Sequence, residues 1–208
     1  MNTVAEQVVE SLATVGFYVG ASVFPDDLTQ SLAHRVTVLA QWGALNTARV
    51  GRGESKLANA DVRNDETRWL ADVPVDQSEQ DALTAAHTLR ACLNETLFLG
   101  AQEAELHFAR YAPGAFYRTH RDRFRDDDAR VVSLVFYLNN DWPDDAGGEL
   151  MIYADDNSGH IVARVLPHAG TMVCFMSDRF PHEVLPASRE RYSLTGWLRR
   201  AATVPVHG

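Results

Sequence analysis

Residues 105–139 read ELHFARYAPGAFYRTHRDRFRDDDARVVSLVFYLN. Three short runs in it are strand candidates: Glu105–Tyr111, Phe116–His120 and Arg130–Asn139. Their Val, Phe and Tyr content suits a pleated, half-buried surface. Ala112-Pro113-Gly114, between the first two runs, is a turn signal.

Toward the C-terminus the same pattern repeats. Gly148–Tyr153, Ile161–Leu166, Thr171–Ser177, His182–Leu185 and Tyr192–Arg199 are further strand candidates. Pro143-Asp144-Asp145, the polar run 155–159 and Pro167-His168-Ala169-Gly170 separate them. Short strands divided by turn clusters predict a mainly β fold over residues 105–200. The expected form is a double-stranded β-helix, that is, a cupin-like jelly roll.

Toward the N-terminus the period changes from two to that of a helix. Thr3 and Glu6 have capping-box spacing, Val4, Val8, Leu12 and Val15 follow, and Gly16 stops the run. Phe17-Tyr18-Val19 is a short strand candidate. Pro25-Asp26-Asp27 opens a second helix carrying Leu28, Leu32, Val36 and Leu39 on one face. A third spans about Ser78 to Leu99, with Leu83, Leu89, Leu93 and Leu97 inward. These N-terminal helices are expected to pack on one sheet. Residues 43–76 show no sustained period and are expected to be a flexible loop. Residues 1–104 then form a mainly helical support, and 1–208 a single domain.

Bulk composition excludes several classes. A chain of 208 residues with 46% hydrophobic and 23% charged side chains is ordinary for a globular protein. A net charge of -9 argues against a nucleic-acid or anionic-membrane partner. No apolar run approaches the roughly 20 residues needed to span a bilayer. Cys92 and Cys174 are far apart, which suits a reducing cytoplasm.

His120-Arg121-Asp122 closes a strand candidate, and His182 begins another. In extended chain, residues two apart face the same way, so His120 and Asp122 share a side and Arg121 turns away. Two imidazoles and a carboxylate on one face of a metal leave positions open, as in non-haem iron(II) oxygenases. The three residues alone also fit a zinc hydrolase. Arg191 adds weight to the iron reading. Alternation places Arg191, Ser193, Thr195 and Trp197 on one face of the last strand. If that face lines the interior, a guanidinium is aimed into an apolar cavity and needs an anion. A dicarboxylate cosubstrate would supply one, gripped by the planar fork. Glu190 and Glu183 are the surface partners that would remove this need.

The stretches YRTHRD (117–122), RVVSLVFYLNNDW (130–142), GGELMIY (147–153), DRFPHEVLPA (178–187) and RYSLTGWL (191–198) resemble a known family. Upstream, FPDDL, DVRNDETRWL and RYAPG extend the likeness. The family is that of the 2-oxoglutarate- and Fe(II)-dependent prolyl 4-hydroxylases. The nearest members hydroxylate hypoxia-inducible factor, together with bacterial relatives acting on elongation factor Tu. The resemblance implies Fe(II), with 2-oxoglutarate and O2 as cosubstrates, and ascorbate as a stimulant. It implies hydroxylation of a proline in a protein, with an oxygen-sensing role to be considered. Carried over by position, His120, Asp122 and His182 would hold iron. Arg191 and Tyr137 would bind the far carboxylate of 2-oxoglutarate, with Thr195 and Tyr111 in the same pocket. Arg130, Trp197, Arg63, Asp65 and Trp69 match substrate-contacting positions, and 47–62 would be a substrate-gripping flap. His107 departs from the animal enzymes, which carry an apolar residue there. The loop 123–128 is more charged than theirs. Two alternatives stay open: an oxygenase for a small metabolite or free amino acid, and a non-catalytic sensor that binds metal and 2-oxoglutarate.

Overall fold

The computed structural model describes residues 3–48, 59–123, 129–156 and 158–201. Three helices come early: α1 (Val4–Thr14), α2 (Asp26–Gln41) and α3 (Gln77–Leu97). Strands β1 (Phe17–Ala21), β2 (Asn46–Thr47) and β3 (Glu66–Trp69) lie among them. Then follow β4 (Glu103–Tyr111), β5 (Tyr117–His120), β6 (Arg130–Tyr137), β7 (Leu150–Tyr153), β8 (Ile161–Val165), β9 (Thr171–Met176), β10 (His182–Val184) and β11 (Arg191–Arg199).

Each helix begins where its chemistry predicts. Thr3 and Glu6 close a reciprocal capping box on α1, worth about 1 kcal/mol. Asp76 caps α3 by accepting from the backbone of Ser78 and Glu79. Pro25 flanks α2, and Asp26 and Asp27 fill its first turn. Val15 does not join the apolar face of α1: it lies past the helix end and is exposed. The α3 helix ends before the expected Leu99, because Phe98 takes a left-handed conformation at φ 52°.

The strands form two antiparallel sheets, ordered β1-β9-β6-β11-β4-β3-β2 and β5-β10-β7-β8. This is the expected jelly roll with the helices on the larger sheet. Alternation along single strands divides the apolar residues between two cores. On β9, Met172 and Cys174 join the helices, whereas Val173 and Phe175 face the second sheet. On β6, Val132, Leu134 and Phe136 pack against the helices, and Tyr137 faces the other way. Both faces are buried, so these strands read as continuous apolar runs.

One expectation needs correction. Residues 43–76 are not all loop. Glu66–Trp69 forms β3, which pairs with β4 and extends the larger sheet, and β2 pairs with β3. Arg68 and Arg35 converge on the buried carboxylate of Glu79 and tie β3 and α2 to α3. Residues 49–58, most of the expected flap, and 124–128 of the charged loop lie outside the described residues.

Candidate active site

Register brings the first two histidines together. Antiparallel pairing of β5 with β10 sets His120 directly opposite His182. Their rings stand 4.2 Å apart, centre to centre. Asp122 follows two residues beyond His120. One carboxylate oxygen lies 3.5 Å from His120 Nε2 and the other 3.6 Å from His182 Nε2. The three form the cluster of metal-ligating side chains found among the described residues.

The backbone sets the histidine tautomers. His120 Nδ1 lies 2.8 Å from the carbonyl of Arg118, and His182 Nδ1 lies 3.0 Å from that of Phe180. A carbonyl only accepts, so each Nδ1 donates. That leaves Nε2 of each ring as the nitrogen that faces Asp122 and is placed to bind metal. Burial, aided by His120, pushes His182 down to about 4, so it stays neutral at neutral pH. Burial alone would raise the Asp122 carboxyl. The neighbouring His182 and His120 and a hydrogen bond from Ser133 outweigh that and hold it below the usual carboxylate range. Tyr117 stacks on His120 at 3.6 Å, and the Arg63 guanidinium lies 4.2 Å from the other stacked ring, Tyr117.

Both His120 and His182 line a cavity of about 940 Å³ between the sheets. Arg191 enters it from β11 and is only 2% exposed. Its Nε donates to the carbonyl of Gly148 at 2.9 Å. Gly148 has φ +75°, and a Cβ there would stand 3.3 Å from Arg191 Cδ. Glycine thus gives the turn its shape and the arginine its room. No carboxylate among the described residues pairs with Arg191. Glu190 is engaged by Arg110 and Tyr192, and Glu183 by Tyr153 and Thr119. The rings of Tyr111 and Tyr137 lie 5.0 and 5.1 Å from the guanidinium. The Tyr137 hydroxyl is buried and has no hydrogen-bond partner among the described residues. An unmated guanidinium beside an orphan hydroxyl fits a carboxylate ligand.

Beyond the ligands the wall is aromatic and basic. His107, Trp69 and Trp197 form a three-ring cluster, with His107 4.4 Å from Trp69 and 5.5 Å from Trp197, and the two indoles 5.9 Å apart. The Arg130 guanidinium lies 3.5 Å over the Trp197 ring, and its Nη1 donates to the Asp122 carbonyl at 3.2 Å. Thr195 lines the cavity, but its hydroxyl donates to the Leu134 carbonyl. Arg63 lines it too, braced by two bonds of 2.7 and 2.5 Å to Asp65. Asp65 itself is fully buried behind Arg63 and is not part of the wall. Arg121 points away from the ligands, to the carbonyl of Asp178.

Sequence reasoning passed over Ser133, Ser177 and Tyr117, which touch the metal ligands or one another. Ser133 was within reach, because alternation sets it on the Tyr137 face of β6.

Two imidazoles and one carboxylate, with an unmated guanidinium in the same jelly-roll cavity, define a non-haem iron oxygenase. Residues 106–199 match the 2OG-Fe(II) oxygenase superfamily. A Pseudomonas putida prolyl-4-hydroxylase of known structure is 41% identical, with a TM-score of 0.86 over 95% of this chain and 100% of that one. The Trichoplax adhaerens prolyl hydroxylase, solved with a hypoxia-inducible-factor peptide, is 26% identical, with a TM-score of 0.80 over 94% of this chain and 88% of that one. The mouse prolyl hydroxylase EGLN3 is 26% identical over 92% of this chain and 82% of its own. The chain belongs to the 2OG-Fe(II) oxygenase superfamily, in its prolyl hydroxylase branch. Enzymes of this superfamily use Fe(II), 2-oxoglutarate and O2. Among the described residues, no helix is long and apolar enough to cross a membrane.

Proposed function

We propose that the protein hydroxylates a prolyl residue, at C4, within a protein substrate, and that elongation factor Tu is the first substrate to test. The observation that carries this is the shape of the cavity past the metal ligands. Arg191 and Tyr111 stand at one end, opposite each other across β11 and β4. Thr195 and His107 are paired four residues further along, roughly 13 Å away at strand spacing. A five-carbon diacid reaching from Arg191 to the metal leaves that second end free for another molecule. Trp69, Trp197, Arg130 and Arg63 wall it. An aromatic slot flanked by guanidinium groups suits an apolar ring carried on a peptide backbone. The relatives whose names mention prolyl hydroxylation support the same choice.

In this reading, His120, Asp122 and His182 hold Fe(II). Arg191 and Tyr137 bind the far carboxylate of 2-oxoglutarate, with Tyr111 beside it, and Thr195 lines the same pocket further along β11. Arg130, Trp197, Trp69 and Arg63 meet the substrate, and Asp65 serves by fixing Arg63. Fe(II) held there would allow O2 to act as the oxidant, one oxygen atom going to the substrate proline and the other to succinate as 2-oxoglutarate loses CO2. The chain's own part is placement and exclusion of water: the ligands keep their lone pairs aimed, and the aromatic wall keeps the reacting end dry.

The test is mass spectrometry of elongation factor Tu, and of the whole proteome, from cells with and without the gene. A proline lacking one added oxygen atom only in the deletion strain is the expected result. An oxidised small molecule, with no protein proline changed, would favour a metabolite oxygenase. Absence of 2-oxoglutarate turnover with every candidate would favour a sensor.

A further inference from the structure

Asp122 is held from behind as well as faced from the front. Its Oδ2 accepts a hydrogen bond of 2.6 Å from Ser133 Oγ, and Ser133 Oγ lies 2.9 Å from Ser177 Oγ. Both serines are buried, Ser133 at 2% exposure and Ser177 at 0%.

The proton inventory gives this chain a direction. A hydroxyl carries one proton and can accept as well. An ionised carboxylate has none to give, so Ser133 donates to Asp122. Its only proton is then committed, so Ser177 donates to Ser133. Ser177 is itself pinned by the backbone. Its N–H donates to the Val131 carbonyl at 3.0 Å, and its carbonyl accepts from the Arg123 N–H at 3.2 Å. The end of β9 therefore grips the segment just after Asp122 through backbone and side chain together.

Such a grip has work to do. The terminal torsion of an aspartate is soft and broad, so the backbone alone does not fix the plane of its carboxylate. His120 and His182 face no such freedom, because each Nδ1 is tied to a carbonyl. Asp122 lacks that tie and has the serines instead.

We propose that Ser133 and Ser177 form a directed hydroxyl relay that sets the Asp122 carboxylate for the metal, with Ser133 as a positioning residue. The proposal rests on the triad being the metal site. Partners of this kind are worth roughly 10–100-fold in metal affinity.

The experiment is an anaerobic titration of the full-length, metal-free protein with Mn(II) alone, reading free ion by electron paramagnetic resonance. Wild type binds. Ser133→Ala binds roughly 10–100-fold more weakly, and Ser133→Thr, which keeps the hydroxyl, returns toward wild type. The double variant Ser133→Ala/Ser177→Ala is no weaker than Ser133→Ala, because Ser177 acts only through Ser133. A role confined to filling the core would lower the melting temperature of the metal-free protein and leave the Mn(II) affinity of the folded fraction unchanged. Equal affinity in wild type and Ser133→Ala overturns the relay. Should Ser133→Ala not fold, Ser177→Ala carries the test, and unchanged affinity there overturns the relay too. Failure of wild type itself to bind Mn(II) would sink the metal site as a whole, a distinguishable result.

Discussion

A guanidinium that is almost wholly buried, with no carboxylate mate among the described residues, needs an anion from outside. Arg191 is in that position, and the residues that could have neutralised it are engaged elsewhere. Arg191→Ala should raise the KM for 2-oxoglutarate about 10–100-fold, since each charge-assisted hydrogen bond contributes ~1.5–3 kcal/mol. Steady-state kinetics at varied 2-oxoglutarate checks it, and an unchanged KM removes Arg191 from the site. His107 makes a second prediction. Burial, with Arg63 and Arg130 nearby, pushes its imidazole down to about 3. The unfolded chain takes up that proton near pH ~6.5. Stability from the neutral ring is therefore full above that pH and is lost as pH falls toward about 3. His107→Met lacks this dependence. Its melting temperature should fall less than wild type's between about pH 7 and about pH 5, and parallel curves would contradict it. Alternation on β11 made Arg191 legible in the sequence. The same alternation places Ser133 on the Tyr137 face of β6, but nothing local names its partner, Asp122, eleven residues earlier across a loop.

Among the elements, β3 shows where pattern reading runs out. Its four residues, Glu66–Trp69, are too few and too polar to show alternation, and their strand state comes from pairing with β4. Long-range pairing overrides local propensity in such a segment. The register matters, since it lays Trp69 beside His107. Glu79, at 2% exposure, fastens β3 to the helices by accepting from Arg68 at 2.9 Å and Arg35 at 2.8 Å. Glu79→Gln removes one charge from a buried cluster and should cost on the order of 3 kcal/mol. Chemical denaturation measures it, and a loss below about 0.5 kcal/mol would show the pair to behave as a surface one. The helices were easier to read, because caps such as Thr3 with Glu6 are local chemistry that tertiary structure leaves intact.

For the molecule as a whole, layering puts the site where it is. Helices cover one face of the larger sheet and leave the other to face the smaller sheet. Short turn-separated strands made that architecture readable, but no local feature states which strands become neighbours. The meeting of His120 with His182 depends on β5 lying against β10, a pairing between residues 62 apart in sequence. The tight packing of β11 on β4 carries the same dependence: a Cβ on Gly196 would stand 1.9 Å from the Glu105 carbonyl oxygen.

The most direct test is a crystal structure of the protein grown without oxygen in the presence of Mn(II) and 2-oxoglutarate. The expected result is one metal ion bound by His120, Asp122 and His182, with the far carboxylate of 2-oxoglutarate on the Arg191 guanidinium. A metal ion held by other side chains, or a cosubstrate lying away from Arg191, would contradict it.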